Sequence, residues 1–106
     1  GRFNISIETA IGSTFEYTQG KVAELEAVVQ ERLGPALVAM TSAVGRGGGT
    51  VGFANSSSNL AAIDVSMVPR AEREDSIWKI IRDLEREAGS RIAGVRLEFA
   101  TDSLSS

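Results

Sequence analysis

Three carboxylates are the residues whose spacing could do chemistry. Glu8, Asp64 and Glu98 each lie in a segment where apolar and polar residues alternate, so one face of a sheet could carry all three. A close pair of carboxylates can act as acid and base or hold a hard cation. Arg96 lies beside Glu98, however, and mixed charges on an exposed sheet face usually form weak cross-strand pairs. We therefore assign no catalytic and no metal-binding residue.

The composition excludes most common enzyme chemistries. The chain has 106 residues, no His and no Cys, so a His-dependent triad, a thiol nucleophile, a zinc finger and a disulfide are all excluded. The net charge is -3, which argues against a nucleic-acid partner. A single domain over residues 1–106 is expected, with no cofactor, and the protein is not expected to be an enzyme.

A glycine-rich segment offers a second candidate site. Residues 47–52 read GGGTVG and satisfy the G-x-G-x-x-G pattern of dinucleotide-binding loops. That pattern needs a helix immediately after it, whereas the next periodic segment here is a strand. The better interpretation is a long glycine-rich hairpin loop, from Gly45 to Asn59. Hairpin loops of about fifteen residues are often functional.

Alternating apolar residues predict four strands. The predicted strands span Phe3–Thr9, Ala36–Val44, Leu60–Val68 and approximately Val95–Phe99. In the second strand the alternation places Val38, Met40 and Val44 towards the core. The methionines at 40 and 67 both fall on the core side, so we interpret them as packing residues rather than soft-metal ligands.

Helical spacing predicts two helices. Ser13 to Glu16 has the S-x-x-E spacing of a capping box and precedes an apolar stripe that ends at Gly34-Pro35. A second stripe begins at Ile77 and is expected to end near Gly89. Lys79 and Asp83 are four residues apart on its outer side, as in an ordinary surface ion pair.

The resulting order is strand, helix, strand, strand, helix, strand. It predicts an α+β, ferredoxin-like split βαβ fold (βαββαβ) whose antiparallel sheet has the order 4-1-3-2 and both helices on one face. The other face would be small and polar; its members are Asn4, Ser6, Glu8, Ala39, Thr41, Ala62, Asp64, Ser66, Arg96 and Glu98. This face lacks the aromatic and basic residues of RNA-recognition domains.

The order and spacing of these segments resemble a known transporter family. Gly12–Thr18 (GSTFEYT) enters a helix, a strand runs into Val44-Gly45 and the glycine-rich loop, and Leu60–Arg70 (LAAIDVSMVPR) is followed by Glu72-Arg73. Nearly the whole chain resembles the periplasmic porter region of resistance–nodulation–division (RND) transporters of the acriflavin-resistance type. The likeness is greatest to the first porter subdomain of their second half.

The resemblance implies a part of a proton-driven exporter of small amphiphilic or toxic compounds, in the bacterial inner membrane. The partners it implies are the rest of the transporter chain, its homotrimer, a periplasmic adaptor and an outer-membrane channel. In that family two such subdomains face each other across a substrate cleft, and the loop between the second and third strands of this subdomain acts as a gate. The matching residues here are Gly45, Gly47, Gly48, Gly49, Gly52 and Phe53.

Cleft-facing residues are expected on the polar side of the sheet, at Ser6, Glu8, Asp64, Ser66, Arg96 and Glu98. Heavy-metal exporters of the same superfamily use clustered methionines, which two core-side methionines do not provide. Because the chain starts almost on a strand and lacks an initiator Met, we expect a domain excised from a longer protein. The alternative hypothesis is a free-standing ligand-binding regulatory module of the ACT type.

Overall fold

In the part of the chain that the structure describes, one four-stranded sheet carries two α-helices on one side. The computed structural model describes residues 1–45 and 57–101. Its strands are β1 (Arg2–Glu8), β2 (Leu37–Val44), β3 (Leu60–Met67) and β4 (Arg96–Ala100), and its helices are α1 (Phe15–Leu33) and α2 (Ile77–Arg91). The sheet order is β2-β3-β1-β4 and each neighbouring pair is antiparallel. The predicted fold class, element order and strand order are confirmed.

The core lies between the helices and one face of the sheet. Ile5 in β1 is opposite Ile63 in β3 and Phe99 in β4, and both isoleucines have no exposed surface. The rings of Phe3 and Phe99 stack with their centroids 6.4 Å apart. The helices contribute the buried residues Val22, Leu25, Val28, Val29, Leu33, Ile77, Ile80, Ile81, Leu84 and Ala88. The predicted apolar stripes are therefore the buried ones.

Helix α1 begins one residue later than the predicted capping box. Thr14 is the N-cap, and its side chain accepts a 3.0 Å hydrogen bond from the Tyr17 amide. Ser13 belongs to the preceding turn instead, because its amide donates to the Ala10 carbonyl at 3.0 Å and its carbonyl accepts from Ser58 Oγ at 2.7 Å. The prediction that Ser13 caps the helix is wrong.

Helix α2 continues past the glycine predicted to end it. Gly89 lies within the helix, and the Ile92 amide still donates to the Ala88 carbonyl at 2.9 Å. Ile92 is buried, so its packing favours one more turn. The chain turns at Gly94 instead, where φ is +77°, a conformation that favours glycine.

Strand β2 differs from its predicted alternation at its start. A short 3₁₀ helix, Gly34–Ala36, precedes it, so β2 begins at Leu37 rather than Ala36. Leu37 is opposite Met67 and Ala39 is opposite Ser66, which leaves Val38 as the extra residue of an irregularity of the β-bulge type. Val38 is 62% exposed. The prediction that Val38 faces the core is therefore wrong, whereas Met40 and Val44 do pack against it.

Candidate functional site

All six residues predicted to face a cleft lie on the sheet face away from the helices. Glu8 is opposite Arg96, and Ser6 is opposite Glu98 on one side and Ala62 on the other. Asp64 lies between Asn4 and Thr41, while Ser66 lies between Arg2 and Ala39. Four of the six are exposed and the two serines are half-buried. The structure thus places them on one open, polar surface.

Asn4 on this open face is hydrogen-bonded both to β3 and within its own strand. The Asn4 amide nitrogen donates to Asp64 Oδ1 at 2.9 Å, and Ser6 Oγ donates to Asn4 Oδ1 at 3.5 Å. Within residues 1–45 and 57–101, no group of three or more His, Cys, Asp or Glu residues could hold a metal ion. The exposed charged groups of this face include carboxylates and the guanidinium of Arg96, so the face has hydrogen-bonding groups of both charge signs.

The two ends of the glycine-rich segment are tied together at one end of the sheet. The Gly45 amide donates to the Leu60 carbonyl at 2.6 Å, and the Gly45 carbonyl accepts from the Ser57 amide at 3.1 Å. Gly45 has a φ of +96°, so a side chain there would be strained. The remaining predicted loop residues, Gly47, Gly48, Gly49, Gly52 and Phe53, lie outside the described residues.

A buried polar cluster supports the hydrogen-bonded pair of Gly45 and Ser57, which we call the loop base. Thr9, Thr18 and Asn59 are 4%, 0% and 7% exposed. The two threonine hydroxyls are 2.9 Å apart, the Thr9 amide donates to the Asn59 carbonyl at 2.9 Å, and Asn59 Nδ2 donates to the Thr9 carbonyl at 3.1 Å. In the described part of the chain, every buried side-chain nitrogen and oxygen has a hydrogen-bond partner. The cluster therefore holds β1, α1 and the start of β3 together without an unsatisfied polar atom.

This cluster was not predicted, although one of its members, Thr18, has a signal in the sequence. Thr18 lies one helical turn before Val22, at the start of the buried stripe of α1. A polar residue on an apolar stripe needs a hydrogen-bond partner. Its partner is Thr9, nine positions earlier, and Thr9 is held in turn by Asn59, 50 positions further along the chain.

Exposed apolar side chains lie beside the loop base. Ile11 is 93% exposed, and Phe15 and Tyr17 are 45% and 47% exposed. The Ser13–Ser58 hydrogen bond joins this β1–α1 connection to the base of the loop. The Lys21 ammonium lies 5.5 Å from the centre of the Tyr17 ring. This end of the molecule thus combines exposed apolar side chains with a nearby positive charge.

A pocket of about 440 Å³ lies at the opposite end of the sheet, between the C-terminus of α1 and residues 68–75. Its basic side chains have structural partners. Arg73 donates to the carbonyls of Val68 and Asp75 at 2.8 and 2.9 Å, and Arg32 forms an ion pair with Asp75 at 2.8 Å. Burial lowers the pKa of Arg73, and the neighbouring Arg70 guanidinium lowers it further. We therefore interpret the residues of this pocket as structural contacts between the end of α1 and the segment before α2, rather than as a binding site.

Comparisons with known proteins bear on the fold. No protein-family model and no curated protein matches the sequence. Two crystal structures of a heavy metal efflux pump, crystal forms I and II, contain a matching segment with a TM-score of 0.76 and 17% sequence identity. The chain shares its fold with one segment of an efflux pump. The match covers 95% of this chain and 10% of the pump chain.

Neither α1 nor α2, the two α-helices in the described ranges, is long and apolar enough to span a membrane.

Proposed function

We propose that this chain is a porter subdomain of an RND-type exporter, where it forms one wall of a substrate cleft and catalyses no reaction. The observation that carries the proposal is the hydrogen-bonded base of the glycine-rich segment, where Gly45 and Ser57 are held together above the buried Thr9–Thr18–Asn59 cluster. Such a base fixes where the loop leaves the sheet. The fold shared with an efflux-pump segment and the resemblance of the sequence to RND porter regions both support this assignment.

The glycine-rich loop is the gating element of the proposal. Glycines tolerate the changes in φ and ψ that a gate undergoes when solute passes. The loop base lies at the same end as the exposed Ile11, Phe15 and Tyr17 and as the Glu8–Arg96 pair of the open face. A solute at this end would meet apolar, cationic and anionic groups together.

The proposed substrates are small amphiphilic or toxic compounds. Heavy-metal ions are disfavoured for this subdomain because Met40 and Met67 lie on the helix side of the sheet and Met67 is 5% exposed. The two methionines are opposite Val65 and Leu37, not opposite each other. A thioether site for a soft metal needs several such ligands around one point.

The proposed setting is the periplasmic portion of a bacterial inner-membrane protein. Its partners would be the rest of the transporter chain, two further copies of it in a trimer, a periplasmic adaptor and an outer-membrane channel. The sequence flanking the coding segment tests this setting directly. Apolar stretches of about 20 residues upstream and downstream are expected, whereas a start codon before Gly1 and a stop codon after Ser106 would contradict it.

Replacement of Gly47, Gly48 and Gly49 by alanine in the full-length transporter tests the gate. Export of an amphiphilic dye is expected to fall severalfold, because alanine restricts the backbone that the loop needs. Gly89→Ala is the matched control, since this glycine lies within α2 and a Cβ there meets nothing within 4 Å. Export that is unchanged in the triple variant, at equal protein level, would remove the gating role.

A further inference from the structure

The connection between β1 and α1 is a tight turn with an isoleucine at its tip. The Ser13 amide donates to the Ala10 carbonyl at 3.0 Å, and Gly12 has a φ of +95°. A glycine with positive φ in the third position is the mark of a type II β-turn. Ile11 occupies the second position and is 93% exposed. Turns favour Gly, Pro and small polar residues, and local exceptions of this kind are expected at functional sites.

Hydrogen bonds on both sides of this turn join it to residues 57–59. Before the turn, the Thr9 amide donates to the Asn59 carbonyl at 2.9 Å, and Asn59 Nδ2 donates to the Thr9 carbonyl at 3.1 Å. After the turn, the Ser13 carbonyl accepts from Ser58 Oγ at 2.7 Å. Ser58 is exposed, so water can replace its hydroxyl, whereas Asn59 is 7% exposed and its loss leaves a buried carbonyl unpaired. Asn59 is therefore the contact on which the turn depends most.

The Asn59 side chain takes the place of a backbone group at the end of the sheet. Glu8 opposite Leu60 is the last pair of the β1–β3 ladder, so Thr9 and Asn59 would form the next pair. The backbone amide of Asn59 instead lies 3.5 Å from Ser57 Oγ, and Nδ2 donates to the Thr9 carbonyl in its stead. The chain can thus leave the ladder here with the buried Thr9 carbonyl still paired.

Asn59 bridges β1 and the loop base because a carboxamide has both a donor and an acceptor. Its Nδ2 donates to Thr9 of the β1 end, while its Oδ1 accepts from the hydroxyl of Ser57 in the loop base. A carbonyl can only accept, so the reverse orientation would place Oδ1 against a second acceptor. An ionised aspartate would create the same conflict, and an alanine would provide neither group.

We propose that Asn59 is a positioning residue of the proposed substrate cleft. Its carboxamide joins the Ala10–Ser13 turn to the loop base, so that Ile11 keeps a fixed place beside the point where the loop leaves the sheet. An apolar side chain held in this way loses little conformational entropy when an amphiphilic solute contacts it. The assignment to a cleft rests on the proposed export function, whereas the coupling of the turn to the loop base does not.

Hydrogen exchange of the 106-residue chain at pH 7 measures the coupling. Asn59→Ala should lower the protection of the Thr9 and Ser13 amides about tenfold, because the buried Thr9 carbonyl loses its donor. Ser13 is the decisive amide, since its own partner is the Ala10 carbonyl and not Asn59. Protection within α2 should be unchanged, which shows that the variant is folded.

The pH dependence of Asn59→Asp separates positioning from packing. At pH 7 the ionised carboxylate should lower protection as Asn59→Ala does. Burial raises the pKa of such a carboxyl, so it should become protonated and donate to Thr9 again as the pH falls towards 4. Protection factors corrected for intrinsic exchange should then recover in Asn59→Asp and not in Asn59→Ala. Glu8 of β1 and Glu16 in the first turn of α1 are the same in every variant.

Gln19→Glu is the matched control, since it makes the same change from amide to acid at an exposed position of α1 and should leave protection unchanged. Unchanged protection of Ser13 in Asn59→Ala would overturn the proposal, and so would the absence of recovery in Asn59→Asp.

Dye export by the full-length transporter tests the role in the cleft. Asn59→Ala should lower export severalfold at equal protein level, while Gln19→Glu should not. If the triple alanine variant of Gly47, Gly48 and Gly49 impairs export and Asn59→Ala does not, the positioning role alone is wrong. If neither variant impairs export, the proposed gating role is wrong as well.

Discussion

Asp83 is the residue at which three basic side chains meet. Its carboxylate lies 3.0 Å from Lys79 Nζ, 2.9 Å from Arg32 Nη2 and 3.0 Å from Arg86 Nη2. Hydrogen bonds from Lys79 and then from Arg32 lower the pKa of Asp83 to about 2. Arg32 comes from α1, so the charged form of Asp83 helps to hold the two helices together.

The pH dependence of unfolding should report this carboxylate. An unfolded Asp has a pKa of about 3.9, so the contribution of the lowered pKa is fully present above about pH 4 and is lost as the pH falls towards about 2. We expect Asp83→Asn to be less stable than the parent chain at pH 7 and the difference to shrink across that window. Urea denaturation at several pH values measures it.

Glu85→Gln is the control for this pH series. Glu85 is an exposed carboxylate of the same helix, so its replacement should leave the acid-dependent loss of stability in place. An Asp83→Asn chain that loses as much stability between pH 4 and pH 2 as the parent would contradict the assignment.

The sequence could reveal only part of this arrangement. The spacing of Lys79 and Asp83 predicts their ion pair, which the structure confirms at 3.0 Å. The contact with Arg32 joins residues 51 positions apart, and no local pattern encodes it. The same limit applies to Thr18, because its partner Thr9 is itself held by Asn59, 50 positions further along the chain.

At the scale of the element, the helices were predicted well except at their ends. Apolar spacing identifies the buried stripe of each helix because that spacing reflects the 3.6-residue turn. The N-terminus of α1 was misplaced because Ser13 and Thr14 both have hydroxyls that can cap. The choice depends on Ser58, whose Oγ donates a hydrogen bond to the Ser13 carbonyl and so holds Ser13 in the preceding turn.

Substitution of these two residues tests which one caps α1. Thr14→Ala should lower the free energy of unfolding by about 1 kcal/mol, since it leaves the Tyr17 amide without its side-chain acceptor. Ser13→Ala removes a hydroxyl outside the helix and should change stability much less. Chemical denaturation of both variants gives the comparison, and equal losses would favour a shared cap.

The bulge in β2 was beyond local prediction for a related reason. Val38 is a strong strand former in an apolar run, so alternation placed it in the core. The 3₁₀ turn at Gly34–Ala36 and the pairing of Leu37, the first residue of β2, with Met67 set the register at the start of the strand. One extra residue then turns Val38 to solvent while Met40 stays on the core side.

At the scale of the whole molecule, the sheet has one packed face and one open face. Ile5 and Ser6 are neighbours in β1 that show the contrast, because Ile5 is fully buried among the helices and Ser6 lies on the open face. Ile5→Ala should cost about 2–5 kcal/mol of unfolding free energy. Ser6→Ala should change it by less than about 0.5 kcal/mol. Urea denaturation of the two variants measures both values.

A large loss from Ser6→Ala would mean that the open face contributes to folding rather than remaining available to a ligand. The composition of that face was predictable, because two-residue alternation assigns Ser6, Asp64 and Glu98 to one side. The pairing of individual residues was not, because register depends on where each strand ends. The buried polar cluster of Thr9, Thr18 and Asn59 was not predictable either, because its residues come from three separate parts of the chain that meet only in the fold.

The closed base of the glycine-rich segment also has a consequence for how the protein can evolve. Ser57 and Gly45 are already joined by a hydrogen bond between their backbones, so the two points between which any insert in place of residues 46–56 would run are held together. The entropy lost on closing such a ring grows only with the logarithm of its length, at about 0.6 kcal/mol for each doubling. Insertions and deletions there can therefore accumulate at little thermodynamic cost, so that the length of this insert can vary independently of the sheet that carries it.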